Sequence, residues 1–366
     1  MRRPGRLASF AVAWLLGAIT AAQAFDHAGL ARRTLENHIL PGYARLAEAT
    51  ETFAAQSAAL CEAPSAAALA KTRKAAREAL LAWGRIEHVR FGPITKDKRF
   101  DRLMFHPDPR GIGRKQIARV LRRRDPDDIR LAKLAHASVA VQGFSAIDLL
   151  LYGKGSVDLA NAGQAAGFRC RYVAVLAEAL HEIAADTLRD WSGPYRKTWL
   201  HPGKGNRAYL KPEEVTQALL RAYVTELEVM RLQRLAPVIG PEGQGATDAA
   251  DPLLARSGLG ADFLIANVEG IRALLSESGF VDPALAQADE ERTAAGILES
   301  VITDLGFAKR AGETATKTAP DALADKNARA HLAPMLFSLK NAEETGRAAL
   351  GTLTGAMLGF NSLDGD

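Results

Sequence analysis

Ser145 and Asp148 are the residues whose types and spacing most strongly suggest chemistry in this sequence. Asp148 is the only charged residue in the stretch 137–153, ASVAVQGFSAIDLLLYG, and this apolar pattern predicts one buried helix. Residues three apart share one side of a helix, so the hydroxyl and the carboxylate should point the same way. A buried carboxylate needs a cation, a hydrogen-bond network or a metal as its partner. What Asp148 faces is therefore the first question that the sequence raises.

One group of candidate partners lies at the end of a predicted helix, in the segment WGRIEHVRFGP. It contains Glu87, His88 and Arg90 beside apolar positions of the core. Glu87 and Arg90 are three residues apart and could form an ion pair at the surface. The alternative is that Glu87, His88 or Arg90 turns towards Asp148.

A second group of candidates lies in the segment His106-Pro107-Asp108-Pro109-Arg110, within the long irregular connection 91–113. Each proline fixes its own φ angle and restricts the residue before it, so this loop should be stiff. A stiff loop can hold His106, Asp108 and Arg110 in place for a ligand. It can equally form a structural corner, and the sequence leaves both interpretations open.

Other patterns of chemical interest are weak. Glu178, His181 and Glu182 have helical spacing that could supply half a metal site, although such triplets usually form a solvated face. No G-x-S-x-G, H-E-x-x-H, Walker or Rossmann pattern occurs in the chain. Nucleophilic, zinc-peptidase and nucleotide-binding chemistry therefore have no motif-level support.

The elements that must position these residues are predicted to be helices throughout. Apolar residues recur at helical spacing along most of the chain, and no run of period-two alternation indicates a strand. Proline, glycine and aromatic residues break the pattern near 192–212, which we take as a connecting loop. We therefore expect an all-α protein of two packed helical bundles, over residues 25–200 and 201–366.

The first 24 residues have the composition of a secretory signal peptide. Arg2, Arg3 and Arg6 precede an apolar run, and Ala22-Gln23-Ala24 suits a cleavage site. Removing residues 1–24 takes away three arginines and no acidic residue, which leaves a net charge of +2. The basic pI is therefore partly a targeting feature, and no nucleic-acid partner is expected. We predict export to the periplasm as a soluble protein.

Two cysteines, Cys61 and Cys170, remain in the predicted mature chain. In an exported protein an even pair suggests one disulfide, with two buried thiols as the alternative. A metal site built on them would need further ligands at short spacing, and the sequence shows none.

The stretch Gly143-Phe144-Ser145-Ala146-Ile147-Asp148 resembles the signature helix of the imelysin-like family, whose pattern is G-x-H-x-x-E followed by apolar residues. Further similar segments follow in order along residues 30–366. They are HILPGYARLAEAT, WGRIEHVRFGP, PDPRG, FRCRY and the terminal GFNSLDGD. The resemblance implies a bacterial cell-envelope protein of two helical bundles with a site near their junction.

The resemblance also implies a function. The family was classified among metallopeptidases, yet many members resemble components of iron uptake, and the histidine and glutamate of the motif are their supposed metal ligands. In this chain Ser145 replaces the histidine and Asp148 replaces the glutamate. A serine hydroxyl is a poor ligand for iron or zinc beside an imidazole. Asp148 is then the one motif residue that could bind iron or another divalent cation.

Three hypotheses follow. The first is a periplasmic binding or accessory protein of iron acquisition that works with an inner-membrane iron permease or another envelope protein. The second is a metallopeptidase. The third is a module without a metal, in which Asp148 pairs with Arg90 or Arg110 and the pocket binds an organic ligand or a protein. The candidate ligand-binding residues are Gln142, Ser145, Asp148, Glu87, His88, Arg90, His106, Asp108 and Arg110.

Overall fold

The structure is a computed structural model that describes residues 25–241, 243, 252–282 and 289–356. Within these ranges every regular element is a helix and none is a strand, so the prediction of an all-α fold is confirmed. The predicted signal peptide 1–24 and the terminal GFNSLDGD lie outside the described residues.

The N-terminal half is built on three long helices. Helix α1 (His27–Arg33) continues through a π-helical turn (Thr34–Ile39) into α2 (Leu40–Glu62). Helix α3 (Ala66–Gly84) follows, and its first turn is capped by Ser65, which accepts a hydrogen bond from the Ala68 amide. Helix α2 packs against both α3 and the later α8 (Gln164–Ser192).

Short elements between α3 and α8 carry the residues of interest. Helices α4 (Arg99–Leu103), α5 (Ile112–Arg123), α6 (Leu131–Leu134) and α7 (Gly143–Tyr152) alternate with 3₁₀ turns. The 3₁₀ turns are Gly92–Lys98, Pro126–Ile129, Val139–Val141 and Ser156–Ala160. The connection 91–113 is therefore less irregular than its composition suggests.

The stretch 137–153 is not one helix, which corrects the prediction. A 3₁₀ turn ends at Val141, Gln142 is extended, and α7 begins at Gly143 with a φ of +70°. A Cβ atom at Gly143 would lie 2.3 Å from the Leu103 carbonyl oxygen, so the backbones of α4 and α7 touch there. Glycine permits both the positive φ and this close approach of the two backbones. The break at Gly143 changes the direction of α7 relative to the residues before it.

The segment near 192–212 is partly helical, which corrects the prediction of a connecting loop. The segment predicted as a loop near 192–212 contains helix α9 (Pro194–Leu200), whose Trp199 is fully buried between Trp191 and Tyr209. Packing of these aromatic side chains thus stabilises a short helix in this basic segment. The predicted boundary between residues 200 and 201 falls at the end of α9, and it stays a prediction.

Six further helices and a second π-helical turn complete the described part of the chain. They are α10 (Pro212–Glu228), the turn Val229–Leu235, α11 (Ala236–Ile239), α12 (Gly260–Glu277), α13 (Asp289–Thr318), α14 (Lys326–Ala330) and α15 (Ala333–Thr354). Helices α13 and α15 form the main pair, with α12 on α13 and α10 on α15.

The two bundles meet along α3 and α12, and α1 packs on α10. Glycines make the close approach possible: a Cβ atom at Gly270 would lie 2.3 Å from the Arg85 carbonyl oxygen. The buried apolar residues of both halves belong to one continuous cluster. The halves therefore share a rigid junction, which can hold polar groups at fixed positions.

Cys61 at the end of α2 and Cys170 in α8 form a disulfide with Cα atoms 5.5 Å apart, which confirms the predicted bridge. Because 109 residues separate them, the bond holds α8 onto α2 across all the short elements in between. Among the helices of the described residues, none combines the length and apolar character needed to cross a membrane.

Candidate functional site

A cleft of about 570 Å³ opens between the two halves of the chain. One wall consists of residues 104–111, the start of α5 and the Ser145–Leu149 face of α7. The other wall consists of the second π-helical turn, α11 and the segment 252–256. The predicted candidates His106, Asp108, Arg110, Ser145 and Asp148 all line this cleft.

Asp148 joins the two walls through backbone amides. Its Oδ1 accepts a hydrogen bond from the Ser257 N–H at 2.8 Å, and its Oδ2 accepts one from the Arg256 N–H at 3.2 Å. This turn includes Leu254 at a φ of +53°, a strained backbone conformation that the two bonds help to hold. Burial raises the pKa of Asp148, and the hydrogen bonds from Ser257 and Arg256 only partly oppose this.

Ser145 and Gln142 also have local partners. The Ser145 hydroxyl donates to the Phe105 carbonyl oxygen at 2.8 Å and so ties α7 to the stiff loop. Gln142 is buried outside the cleft lining, where it accepts a hydrogen bond from Arg102 and donates to the Ala137 carbonyl oxygen. The structure therefore does not bring Gln142 to the site where Ser145 and Asp148 lie.

The stiff loop forms a structural corner at the start of α5 and also lines the cleft. Asp108 caps α5, because its two carboxylate oxygens accept the Ile112 and Gly113 amides at 2.8 Å each. His106 precedes a cis peptide bond to Pro107 and lines the cleft. Burial, and then the charge of Arg234, lower the pKa of His106 to about 4, so the ring is neutral at pH 7. Arg110 is exposed at the rim.

Glu87 and Arg90 belong to a buried ionic network beside the cleft. Glu87 binds Arg234 at 2.7 Å and the Asn267 amide at 2.9 Å. Arg90 binds Glu226 at 2.7 Å, and Arg234 completes the ring through Glu226 at 3.4 Å. Glu87 and Arg90 come from the first half, and Glu226, Arg234 and Asn267 come from the second. The network therefore fastens the halves together.

The network is electrically balanced, with two carboxylates and two guanidinium groups. Although burial opposes it, the pKa of Glu87 is lowered by the charges of Arg234 and Arg90. Burial and the nearby charge of Glu87 raise the pKa of Glu226. Glu87 and Glu226 raise the pKa of Arg234 against the effect of burial. Arg90 therefore takes Glu226 as its partner, and the predicted pair with Asp148 does not form.

His88 turns away from both Asp148 and the ionic network. Its Nε2 lies 2.8 Å from Nε2 of His38, whose Nδ1 lies 2.9 Å from the Glu277 carboxylate. His38 is fully buried on the first π-helical turn, whereas Glu277 is partly exposed at the end of α12. Burial, and then the charges of His38 and Arg90, hold the pKa of His88 well below its usual range.

Sequence reasoning missed five polar residues of this region: His38, Glu226, Arg234, Asn267 and Glu277. A signal was present, because Glu226 and Arg234 stand on the apolar face of a clear amphipathic pattern. A charge at such a position requires a buried partner. The pattern could not say which distant residue supplies it.

The side chains at the motif have hydrogen-bond partners within the protein. Both oxygens of Asp148 accept backbone hydrogen bonds, and the hydroxyl of Ser145 donates to a carbonyl. Across the part of the chain that the structure describes, no three histidine, cysteine or acidic side chains form a metal-binding group. In the Glu178–Glu182 segment both glutamates are exposed, and His181 Nδ1 lies 3.2 Å from the Ala47 carbonyl oxygen.

Comparison with known proteins assigns the family. The imelysin family model, which also carries the label peptidase M75, matches residues 39–339. This chain therefore belongs to the imelysin family. Searching the curated proteins produced no match.

Solved structures show the same fold. An imelysin-like protein from Psychrobacter arcticum 273-4 superposes with a TM-score of 0.73 at 20% identity, over 92% of this chain and 100% of the other. A protein from Parabacteroides distasonis ATCC 8503, provisionally described as an iron-regulated protein A precursor, gives 0.67 at 14% identity, over 88% and 95% of the two chains. At these identities the likeness concerns the fold, and it supports the prediction of two packed bundles.

Proposed function

We propose that this imelysin-family protein is exported to the bacterial periplasm and acts there as a binding component of iron acquisition. The observation that carries the proposal is the cleft between the two halves, with walls supplied by both bundles. A pre-formed cleft of this volume at a junction of bundles is a common form of ligand site. The proposed partner is an inner-membrane iron permease or another envelope protein.

Export is supported by two independent features. Residues 1–24 combine a basic start, an apolar run and a small-residue cleavage site. The disulfide between Cys61 and Cys170 is of the kind that persists in oxidising compartments such as the periplasm. N-terminal sequencing of the mature protein should begin at Phe25.

Binding is favoured over catalysis by the state of the motif residues. A metallopeptidase needs a metal-bound water and a general base. Here Asp148 accepts hydrogen bonds from backbone amides of the opposite wall, and Ser145 donates one to the stiff loop. These two residues shape the cleft, and nothing in their hydrogen bonding prepares them for hydrolysis. The link to iron is supported by the description of the Parabacteroides distasonis relative as iron-regulated.

The test is uptake of ⁵⁵Fe by the native host under iron limitation. We expect a strain without this gene to accumulate less ⁵⁵Fe, and plasmid-borne wild type to restore it. A matched control is the same chain without residues 2–24, which should not restore uptake at equal protein level. Unchanged uptake in the deletion strain would overturn the proposed role in iron acquisition.

A further inference from the structure

Helix α5 and the residues beside it concentrate positive charge. Residues 110–124 contain seven basic residues and no acidic residue, and all seven are exposed. The predicted mature chain has a net charge of only +2, so the rest of it carries a net negative charge. A surface of one sign attracts partners of the opposite sign. This part of the molecule therefore favours an anionic partner.

Part of this charge forms a stripe along the side of α5 that faces away from the protein. Lys115, Arg119 and Arg122 are spaced by four and three residues, so they follow one another along one face of the helix. We call these three residues the basic stripe. Ile117 is buried on the opposite face, where Val120 and Leu121 pack against the core. The apolar face of α5 is thus part of the fold, and the basic stripe faces solvent.

The charge of the basic stripe is not neutralised by the acidic residues nearby. The aspartates that follow α5 pair with other cations, which are Arg123, Arg130 and Lys133. Within the described ranges of the chain, no carboxylate forms an ion pair with a member of the stripe. Interaction with the helix dipole accounts for a cation in the last turn, but not for the first two members of the stripe. A solvated helix face usually alternates in sign, and this one does not.

The chemistry of this face suits a membrane surface better than a protein. Protein interfaces draw most of their affinity from aromatic or apolar anchors that fill fitted pockets. None of the large apolar side chains of α5 is exposed, so the helix offers no such anchor. A row of lysine and arginine on an amphipathic helix is instead the pattern that attracts anionic lipid headgroups, to which each cation near the surface contributes.

We propose that the basic stripe of α5 holds the protein on the anionic surface of a phospholipid bilayer. The proposal rests on the export proposed above, which places the chain beside a membrane, and it adds the surface by which the protein is oriented there. The first turn of α5 lines the cleft, so the rim of the cleft lies next to the bilayer. Because the apolar face of α5 packs against the core, the helix binds through charge and does not insert.

Flotation of the mature protein with two kinds of vesicle tests the proposal. One kind contains phosphatidylcholine alone, and the other contains phosphatidylcholine and phosphatidylglycerol in equal parts. We expect binding to the anionic vesicles to be at least about tenfold tighter, and about 0.5 M sodium chloride to release the protein, because salt screens attraction between exposed charges. Equal binding to both kinds, or binding to neither at low salt, would overturn the proposal and leave an acidic protein surface as the partner of this helix.

Matched double variants locate the binding surface. Arg119→Gln combined with Arg122→Gln removes two charges from the basic stripe, whereas Arg32→Gln combined with Arg45→Gln removes two from exposed positions on α1 and α2. We expect affinity for the anionic vesicles to fall about tenfold or more in the first variant and less than about threefold in the second. Circular dichroism spectra should match that of the wild type. Equal losses would show attraction by total charge only and would overturn the stripe as the docking surface.

A conservative variant separates charge from shape. Arg119→Lys combined with Arg122→Lys keeps both charges and removes the planar guanidinium groups, so it should bind the anionic vesicles as the wild type does. A loss as large as that of the double glutamine variant would overturn attraction by charge.

The result is separable from that of the uptake experiment. Binding to anionic vesicles through the stripe with unchanged ⁵⁵Fe uptake in the deletion strain would keep the membrane surface and remove the role in iron acquisition. Reduced uptake in the deletion strain without binding to anionic vesicles would keep that role and overturn the membrane surface.

Discussion

The buried ionic network and the cleft share Arg234, yet the two regions use their charges in opposite ways. In the network, Glu87 and Glu226 are matched by Arg90 and Arg234, and no net charge remains. In the cleft, backbone amides engage both aspartates, and arginines occupy both walls. Side-chain charges therefore satisfy one another in the network, whereas backbone amides satisfy the aspartates of the cleft.

The comparison also explains the fate of the motif. By the sequence resemblance, Asp148 and Ser145 correspond to the glutamate and the histidine of the family pattern. In the structure Asp148 accepts backbone amides of the opposite wall, and Ser145 donates to the Phe105 carbonyl oxygen of the stiff loop. Both residues therefore stabilise the walls of the cleft.

Breaking the network should have the largest effect on stability. Arg234→Met leaves Glu87 and Glu226 buried with Arg90 alone, so we expect a loss of about 3–5 kcal/mol in the free energy of unfolding. Urea denaturation measures it. As a control, Arg196→Gln breaks the exposed pair with Glu36 and should cost less than about 1 kcal/mol. A loss no larger than this control would contradict a structural network.

Acid should destabilise the fold through two histidines, His106 in the cleft and His88, whose ring contacts His38. The pKa of His88 is well below 6.5 and that of His106 is about 4. The unfolded chain takes up these protons near pH 6.5, but the folded chain does not, so stability falls as the pH drops below 6.5. Each group contributes up to about 1.4 kcal/mol per pH unit.

This dependence is measured as the urea midpoint between pH 7.5 and pH 4.5. His106→Gln should flatten the slope relative to wild type, whereas the same change at the exposed His201 should not. The raised pKa of Asp148 acts in the opposite direction, and comparing variants with wild type isolates the histidine effect. A slope that His106→Gln leaves unchanged would count against the buried neutral ring.

Asp148→Asn should loosen the wall that this residue fastens. The variant keeps one acceptor and loses the charge, so we expect a loss of about 1–2 kcal/mol. Amide hydrogen exchange at Arg256 and Ser257 should accelerate. Asp108→Asn is the matched control, because it should accelerate exchange at Ile112 and Gly113 instead. Unchanged exchange at Arg256 and Ser257 would show that Asp148 does not hold that turn.

Ser145→Ala should have a smaller effect. Losing the hydrogen bond to the Phe105 carbonyl oxygen should cost about 0.5–1.5 kcal/mol. The exposed Ser192, which donates to the Leu188 carbonyl oxygen, provides a reference substitution by alanine with little expected loss. Equal unfolding free energies for the two alanine variants would mean that Ser145 does not brace the loop.

Arg110→Gln should have the smallest effect on stability. Arg110 is exposed at the rim, so we expect a change within about 0.5 kcal/mol in the free energy of unfolding. Thermal unfolding of the variant and of the wild type measures it. A destabilisation comparable with that of Arg234→Met would show that Arg110 is part of the structural network.

Local patterns predicted a large part of this molecule. Apolar spacing indicated the long helices, and two prolines marked the stiff loop. The apolar surroundings of Asp148 correctly indicated its burial. The stretch 137–153 was mispredicted as one helix because the break at Gly143 arises from contact with the Leu103 backbone, which the local sequence does not contain.

The sequence by itself determined that Asp148 would be buried and would need a partner, because burial of a charge follows from the local helical pattern. For Glu87 it left open a surface ion pair or a turn towards Asp148. Only the tertiary structure decided which partners they received. Asp148 meets amides 108 and 109 residues away, and Glu87 meets Arg234 at a separation of 147. Such pairings depend on how whole helices pack. Before the helices are packed, several groups elsewhere in the chain would satisfy each carboxylate equally well.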